Sequence, residues 1–181
     1  APHAGYPYSG PIAGSSFRQL LTGGPPVERV VLLGPSHHFH LEGLALPSAD
    51  AFETPLGKVP VAAEPCAALR ELPQVTVDDR AHAPEHALEV ELPFLQEVIG
   101  DFEVVLLVVG AASAEQVAEV IERLWTGPET LVVVSSDLSH YHPYDAASRL
   151  DRETADRILE GRHDLSVNRA CGAIPINGLL L

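Results

Sequence analysis

Three stretches of this chain run apolar without interruption, and each stops at a cluster of polar or imidazole side chains. Arg29 to Gly34 (RVVLLG), Phe102 to Gly110 (FEVVLLVVG) and Leu131 to Ser136 (LVVVSS) carry Val and Leu on consecutive positions. A strand with one wet face alternates apolar and polar residues, whereas a continuous apolar run of this length predicts a strand covered on both faces. Between these runs the apolar spacing changes to that of a helix. Ala87 to Ile99 places Leu88, Leu92, Leu95 and Ile99 on one side behind Pro84, with Pro93 expected to bend or break the helix. Ser113 to Trp125 begins with Ser113 as N-cap and Gln116 three residues on, a capping box, and continues with Val117, Val120, Ile121 and Leu124 along one stripe. Ala146 to Gly161 reads as a further helix closed by its glycine. FETPLGKVPV predicts a strand pair about a turn at Pro55 to Gly57. Strands alternating with helices predict one α/β domain over residues 1–181, with a largely parallel or mixed sheet flanked by helices.

Composition narrows the function classes. At 181 residues and 46% hydrophobic, the chain can bury one substantial core. No apolar run approaches the roughly 18 residues of a membrane span. A net charge of -14 argues against nucleic acid or an anionic membrane as partner, because phosphate contacts need clustered Lys and Arg. Two cysteines, Cys66 and Cys171, make no disulfide framework, and no signal peptide precedes the first residue, which suits a reducing cytoplasm. The chain opens on PHAGY with no strand before it and stops on GLLL within a helical pattern. It is expected to be the ordered portion of a longer chain, lacking an N-terminal strand and a C-terminal end.

In open α/β sheets, ligands bind beyond the carboxyl ends of the strands. One such end reads LLGPSHH, with His37, His38 and, two further on, His40; another reads VVVSSDLSHYH, with Asp137, His140 and His142. PHAGY becomes a third end if a strand feeds it. This places His3, His37 and the Asp137/His140 pair around one rim. Imidazoles gathered with a carboxylate or thiolate suit a borderline metal such as Fe(II), Cu or Zn. Cys171, in RACGAIPINGLLL, supplies the soft donor, and the helix expected just beyond it favours the thiolate.

Each residue also has a plainer reading. His3, His37 and His38 taken singly suit loop caps or satisfied core histidines equally well, and His40 and His142 suit solvent. Glu85 and Glu89 fit the first turn of a helix, where acids complement the dipole, while His86 and Glu89, three apart, share a face toward the rim. Cys66 reads as a small core residue. Ser135, Ser136, Asp137 and His140 invite a serine hydrolase reading, but neither serine sits in a GxSxG elbow.

PHAGYPYSGP, GPSHH, PEHALEVELPFL, SSDLSHY and CGAIPI occur in the order and approximate spacing of the Memo-like family, whose microbial members are labelled AmmeMemoRadiSam system protein B. The chain resembles that family over essentially its whole length. The resemblance implies the fold of the LigB class III extradiol dioxygenases, nonheme Fe(II) enzymes that open catechol rings. It implies that His3, His37 and Cys171 ligate a metal, Fe(II) or Cu first and Zn as the alternative. It implies an acid/base role for His140 with Asp137 beside it, and a pocket lined or supported by His38, Glu85, His86 and Tyr6. One departure bears on activity: ring-opening dioxygenases use a carboxylate where Cys171 stands, and a thiolate favours Cu(I) or Zn and turns the expectation away from catechol cleavage. CGAIPI also lacks the charged residue that animal relatives carry after the glycine. The leading expectation is a metal-binding protein with redox or oxygen chemistry. The alternatives are a non-catalytic module that binds a peptide or small molecule, serving the radical-SAM partner that the family label suggests, and a metal-assisted hydrolase with Asp137 or His140 as base.

Overall fold

The structure, a computed structural model, describes residues 1–181. Each long apolar run is a strand: β1 (Arg29–Pro35), β6 (Glu103–Val109) and β7 (Thr130–Val134). The three lie parallel with β1 central, in register from Arg29 opposite Glu103 to Pro35 opposite Val109, and from Arg29 opposite Thr130 to Leu33 opposite Val134. Two short strands, β2 (Leu44–Leu46) and β5 (Val75–Val77), widen the sheet to the order β5-β2-β6-β1-β7. Because β2 runs antiparallel to β6, the sheet is mixed. The expected strand pair is a separate hairpin, β3 (Ala51–Thr54) and β4 (Gly57–Pro60).

Alternation along the strands builds a core on each face. Val30 and Leu32 of β1 with Val104, Leu106 and Val108 of β6 pack toward Phe17 of α1 (Tyr6–Phe17) and Leu92 and Leu95 of α4 (Leu92–Ile99). Val31 and Leu33 with Val105, Leu107 and Val109 pack toward Leu69 of α2 (Ala63–Leu69) and Val117, Val120, Ile121 and Leu124 of α5 (Ala114–Leu124). Burying each such side chain contributes about 1.5–3 kcal/mol, and the result is one three-layer α/β domain. The remaining helices are α3 (Asp79–His82), α6 (Tyr144–Leu159) and α7 (Ala173–Leu180), the last packed on α5. No helix is long and apolar enough to cross a membrane.

Local signals explain where elements begin. α5 carries the expected capping box, with the Ser113 hydroxyl accepting from Gln116 N and the Gln116 side chain accepting from Ser113 N. The helix expected from Ala87 starts only at Leu92, after a 3₁₀ turn over Glu89–Glu91. Pro93 sits in its first turn, where a missing N–H goes unmissed, and therefore starts the helix rather than bending it. Residues 85–88 are left as irregular backbone, with Ala87 and Leu88 against the end of β1: a Cβ on Gly34 would lie 2.8 Å from Leu88 Cδ2. α6 runs two residues earlier at both ends than its pattern predicts, and Gly161 takes φ +71 just past it.

Candidate metal centre

The rim at the carboxyl ends of β1 and β7 gathers three chain segments that are far apart in sequence. The first enters through Ala1 to Ala4. Ser136 N donates to Ala1 O, and the Asp137 carboxylate accepts from His3 N at 2.9 Å and Ala4 N at 3.3 Å. The second is His37, two residues beyond β1, whose backbone N–H donates to Glu85 Oε2 at 2.7 Å. The third is Cys171, just before α7. Its N–H donates to Asp137 O, its Sγ accepts from Asp137 N at 3.3 Å, and Gly172 N donates to Ser136 Oγ. Loop 135–137 thus joins the first and third segments through backbone groups and the short side chains of Ser136 and Asp137, which hold position better than long side chains do.

One ligand atom each from His3, His37 and Cys171 lies within 4.8 Å of the other two. Cys171 Sγ is 3.4 Å from His3 Nε2, and the rings of His3 and His37 meet edge to face with centroids 5.3 Å apart. His3 is buried at 2% exposure, Cys171 is half-buried and His37 opens to solvent. Behind His3, Nδ1 lies 2.8 Å from Ser135 Oγ, whose hydroxyl donates to Glu91 Oε1 at 2.8 Å. Behind His37, Nδ1 lies 3.0 Å from Glu85 Oε1.

The electrostatics follow from these contacts. Burial works against ionising Cys171, but hydrogen bonds with His3 and His37 outweigh it and bring the thiol down to about 5. Hydrogen bonds to Cys171 and Glu85 hold the imidazolium of His37 and raise its pKa to about 10 against the opposing effect of desolvation. Burial would raise Glu85, yet the ring and backbone of His37 and the N–H of Ala87 hold it at about 2. Glu91, wholly buried, is raised by desolvation. Two imidazoles and a thiolate are a donor set that could hold a borderline or soft metal ion.

Other predicted site residues distribute around this cluster. Asp137 Oδ2 is 3.9 Å from His3 Nε2. His86 stands at the mouth, its ring 5.9 Å from those of both His3 and His37, and exposed His38 lies 6.2 Å from His37. Glu85 lies behind the cluster and not in its mouth. Glu89, expected to face the rim, is exposed on the 3₁₀ turn, and Glu91 turns inward instead. Tyr6 is on α1, packed edge-on against Phe94 with its hydroxyl donating to Val90 O, and forms no hydrogen bond with the three donors. His140 is exposed beside Tyr141 and forms no hydrogen bond or ion pair with the three donors. His40 is exposed and pairs with Glu42, and His142 is exposed. Ser135 is 0% exposed with its hydroxyl engaged on both sides, so it cannot serve as a nucleophile. Its part beneath His3, like that of Glu91, went unread in the sequence. The one signal was an acid in VELPFL, a stretch otherwise fit for a core, where a carboxylate needs a partner.

A cavity of about 860 Å³ lies elsewhere, at the amino ends of the strands, lined by residues including Glu28, Lys58, Glu97 and Asp101 and no His or Cys. Chemistry and volume therefore point to opposite ends of the sheet, and the donor geometry decides in favour of the rim.

The chain is similar to known proteins in sequence and in fold. MEMO1 family proteins of Methanopyrus kandleri and Methanothermobacter thermautotrophicus are 40% and 37% identical over 165 and 164 residues, each match covering 87% of this chain. That of Archaeoglobus fulgidus is 39% identical over 168 residues, 88% of this chain. The chain spans 58%, 59% and 60% of these relatives' own lengths. Among solved structures, the uncharacterized protein JW3007 of Escherichia coli K12 superposes with a TM-score of 0.61 over 92% of this chain and 80% of its own, at 16% identity, a likeness of fold alone. A model of the Memo-like protein family matches residues 1–176. Since that match runs from the first rim histidine past the rim cysteine, this chain belongs to the Memo-like protein family.

Proposed function

We propose that the protein holds one Fe or Cu ion through His3, His37 and Cys171 and uses it for redox or oxygen chemistry. The observation that carries this reading is the convergence of three donors within 4.8 Å although the outer two are 168 positions apart in sequence. A metal held there would supply Lewis acidity and one-electron chemistry. Cys171 binds as the thiolate, its ionised form above a pKa of about 5. That soft donor favours Cu within the pair. Asp137 holds the His3 backbone and presents Oδ2 beside the ligand cluster, and His140, on the exposed loop that follows, is assigned the proton transfer to or from a bound molecule. The exposed imidazoles of His38 and His86, 6.4 Å apart beside the cluster, are assigned to meet a small molecule or peptide. A partner of the radical-SAM type remains part of this proposal through the family label. Both cysteines are free, and a persistent thiolate ligand needs a reducing compartment, so we place the protein in the cytoplasm.

Elemental analysis of protein purified with and without oxygen, followed by metal titration of Cys171→Ser and His140→Ala beside the parent, tests the assignment. The parent should carry about one ion per chain. Loss of the thiolate should lower affinity sharply, and loss of the His140 imidazole by only about 10–100-fold. A Cys171→Ser variant that bound metal as tightly as the parent would remove the basis of the reading.

A further inference from the structure

The segment from Glu85 to Glu91 reaches both imidazoles of the cluster from behind, and its hydrogen bonds fix which ring nitrogen each histidine turns toward Cys171. Glu85, 2% exposed at its side chain, receives four N–H groups: His37 N on Oε2, and His37 Nδ1, His86 N and Ala87 N on Oε1. An ionised carboxylate has no hydrogen to give, so His37 Nδ1 is the donor. Ser135 Oγ stands 2.8 Å from Glu91 Oε1 and 2.8 Å from His3 Nδ1. A hydroxyl has one hydrogen. Given to Glu91, it leaves oxygen lone pairs facing His3, and Nδ1 of His3 must then be the donor too.

We propose that Glu85 and Glu91 form an orienting clamp, Glu85 directly and Glu91 through Ser135, that keeps both His3 and His37 protonated on Nδ1 and turns each Nε2 toward Cys171. Glu85, Glu91 and Ser135 are positioning residues. The inference deepens the metal-site reading and rests on it for the identity of what the Nε2 atoms receive.

The clamp also accounts for the broken helix. On an α-helix, residues six apart point about 120° away from each other, so a helix running through Glu85 and Glu91 would aim at most one of them at the rim. The structure instead runs irregular backbone through residues 85–88, seated on Gly34, and then a tight 3₁₀ turn that brings Glu91 inward. Glu91 Oε2 has no hydrogen-bond partner. A buried carboxylate left half-satisfied is costly, which fits a group retained for what its other oxygen does.

The test uses the full chain carrying Cys171→Ala, which removes the thiolate that would otherwise draw a hydrogen onto each Nε2, labelled with ¹⁵N-histidine, freed of metal and held at a pH where each ring keeps one hydrogen; long-range proton–nitrogen correlation then reports which ring nitrogen carries it. In that background, Nδ1 of both His3 and His37 should be protonated. Glu85→Ala should abolish that preference in His37 and leave His3 as it was. Ser135→Ala and Glu91→Leu should do the reverse. Glu91→Gln, which keeps a carbonyl acceptor for Ser135, should keep the parental His3 signal, and it carries the comparison with Ser135→Ala if Glu91→Leu does not fold. Titration with Co(II), in chains that keep Cys171, should then show Glu85→Ala and Ser135→Ala weakened by about 10–100-fold, with the thiolate-to-cobalt absorption band retained. In the Cys171→Ala background, hydrogen on Nε2 and none on Nδ1 of either histidine overturns the clamp, as does an added Glu85→Ala change that leaves the His37 signal as it was. A parent that bound no Co(II) would count against the metal reading alone, and the metal-free spectrum would still decide the clamp.

Discussion

Cys171 sits between two opposed influences, burial that favours the neutral thiol and imidazole contacts that favour the thiolate, and the second wins. Its pKa falls from an ordinary 9.0 to about 5. Because the folded value is the lower one, ionised Cys171 contributes stability in full above pH 9, progressively less below it, and none once pH has fallen through about 5. His37 has the opposite sign: raised from 6.5 to about 10, it contributes fully below pH 6.5 and loses that contribution as pH rises through about 10. In metal-free protein, the iodoacetamide alkylation rate should therefore follow a midpoint near 5, and His37→Ala should move that midpoint up toward 9. A midpoint in the parent above about 8 would mean that the imidazoles do not hold the thiolate. The same contrast separates what could be read from residues and what could not. His3, His37 and Cys171 stand out in sequence because few side chains offer nitrogen or sulfur to a metal. Ser135 and Glu91 acquire their part only when burial brings them under His3, and a serine or an acid by itself carries no such mark.

At the level of elements, β1, β6 and β7 and the capped α5 were legible because period and cap chemistry act locally. α1 was not. YPYSGPIAGSSF holds two prolines and two glycines, poor helix formers, and Ser9, Ala13 and Phe17 are buried on one side of it only because α4 offers Phe94, which stacks on Phe17 at 5.6 Å. The strands β2 and β5, three residues each, are likewise too short for a pattern; β2 owes its place to β6, and β5 owes its place to β2. α7 was expected from its apolar residues, and what fixes its start is Gly172. A Cβ there would lie 2.6 Å from Ser136 Cβ and 2.8 Å from Ser135 O, contacts with backbone and short side chains that cannot swing aside. Gly172→Ala should cost about 1–3 kcal/mol in denaturant unfolding and weaken metal binding, because the displaced loop carries Cys171. Ser113→Ala, at the cap of α5, should cost about 1 kcal/mol with affinity unchanged. Equal affinities for the two variants would mean that the loop holds Cys171 independently of its packing on Ser135 and Ser136.

For the molecule as a whole, the parallel central strands explain why a site spread over the chain is compact. β1 and β7 both deliver their carboxyl ends to one rim, so His37 and loop 135–137 arrive as neighbours, and the third donor depends on a helix that belongs to the opposite layer. α7 begins two residues after Cys171 and lies on α5 at Gly178, where an added Cβ would meet Val117 Cβ and Cγ1 at 2.5 Å and Ala114 O at 3.0 Å. The proposed metal site should consequently respond to the α5–α7 contact more than to core stability in general. Gly178→Ala forces α7 off α5 and should cost about 1–3 kcal/mol. Leu69→Ala, a cavity made in the same core layer but under α2, should cost about 2–5 kcal/mol. Measured by urea unfolding and Co(II) titration, Leu69→Ala should be the less stable of the two and yet bind Co(II) within about threefold of the parent. Gly178→Ala should be the better folded and the poorer binder, because its strain is relieved by moving the element that carries the thiol. The reverse order, with affinity tracking stability across both variants, would show that Cys171 is held by the rim loops alone and that the docking of α7 is only part of the core.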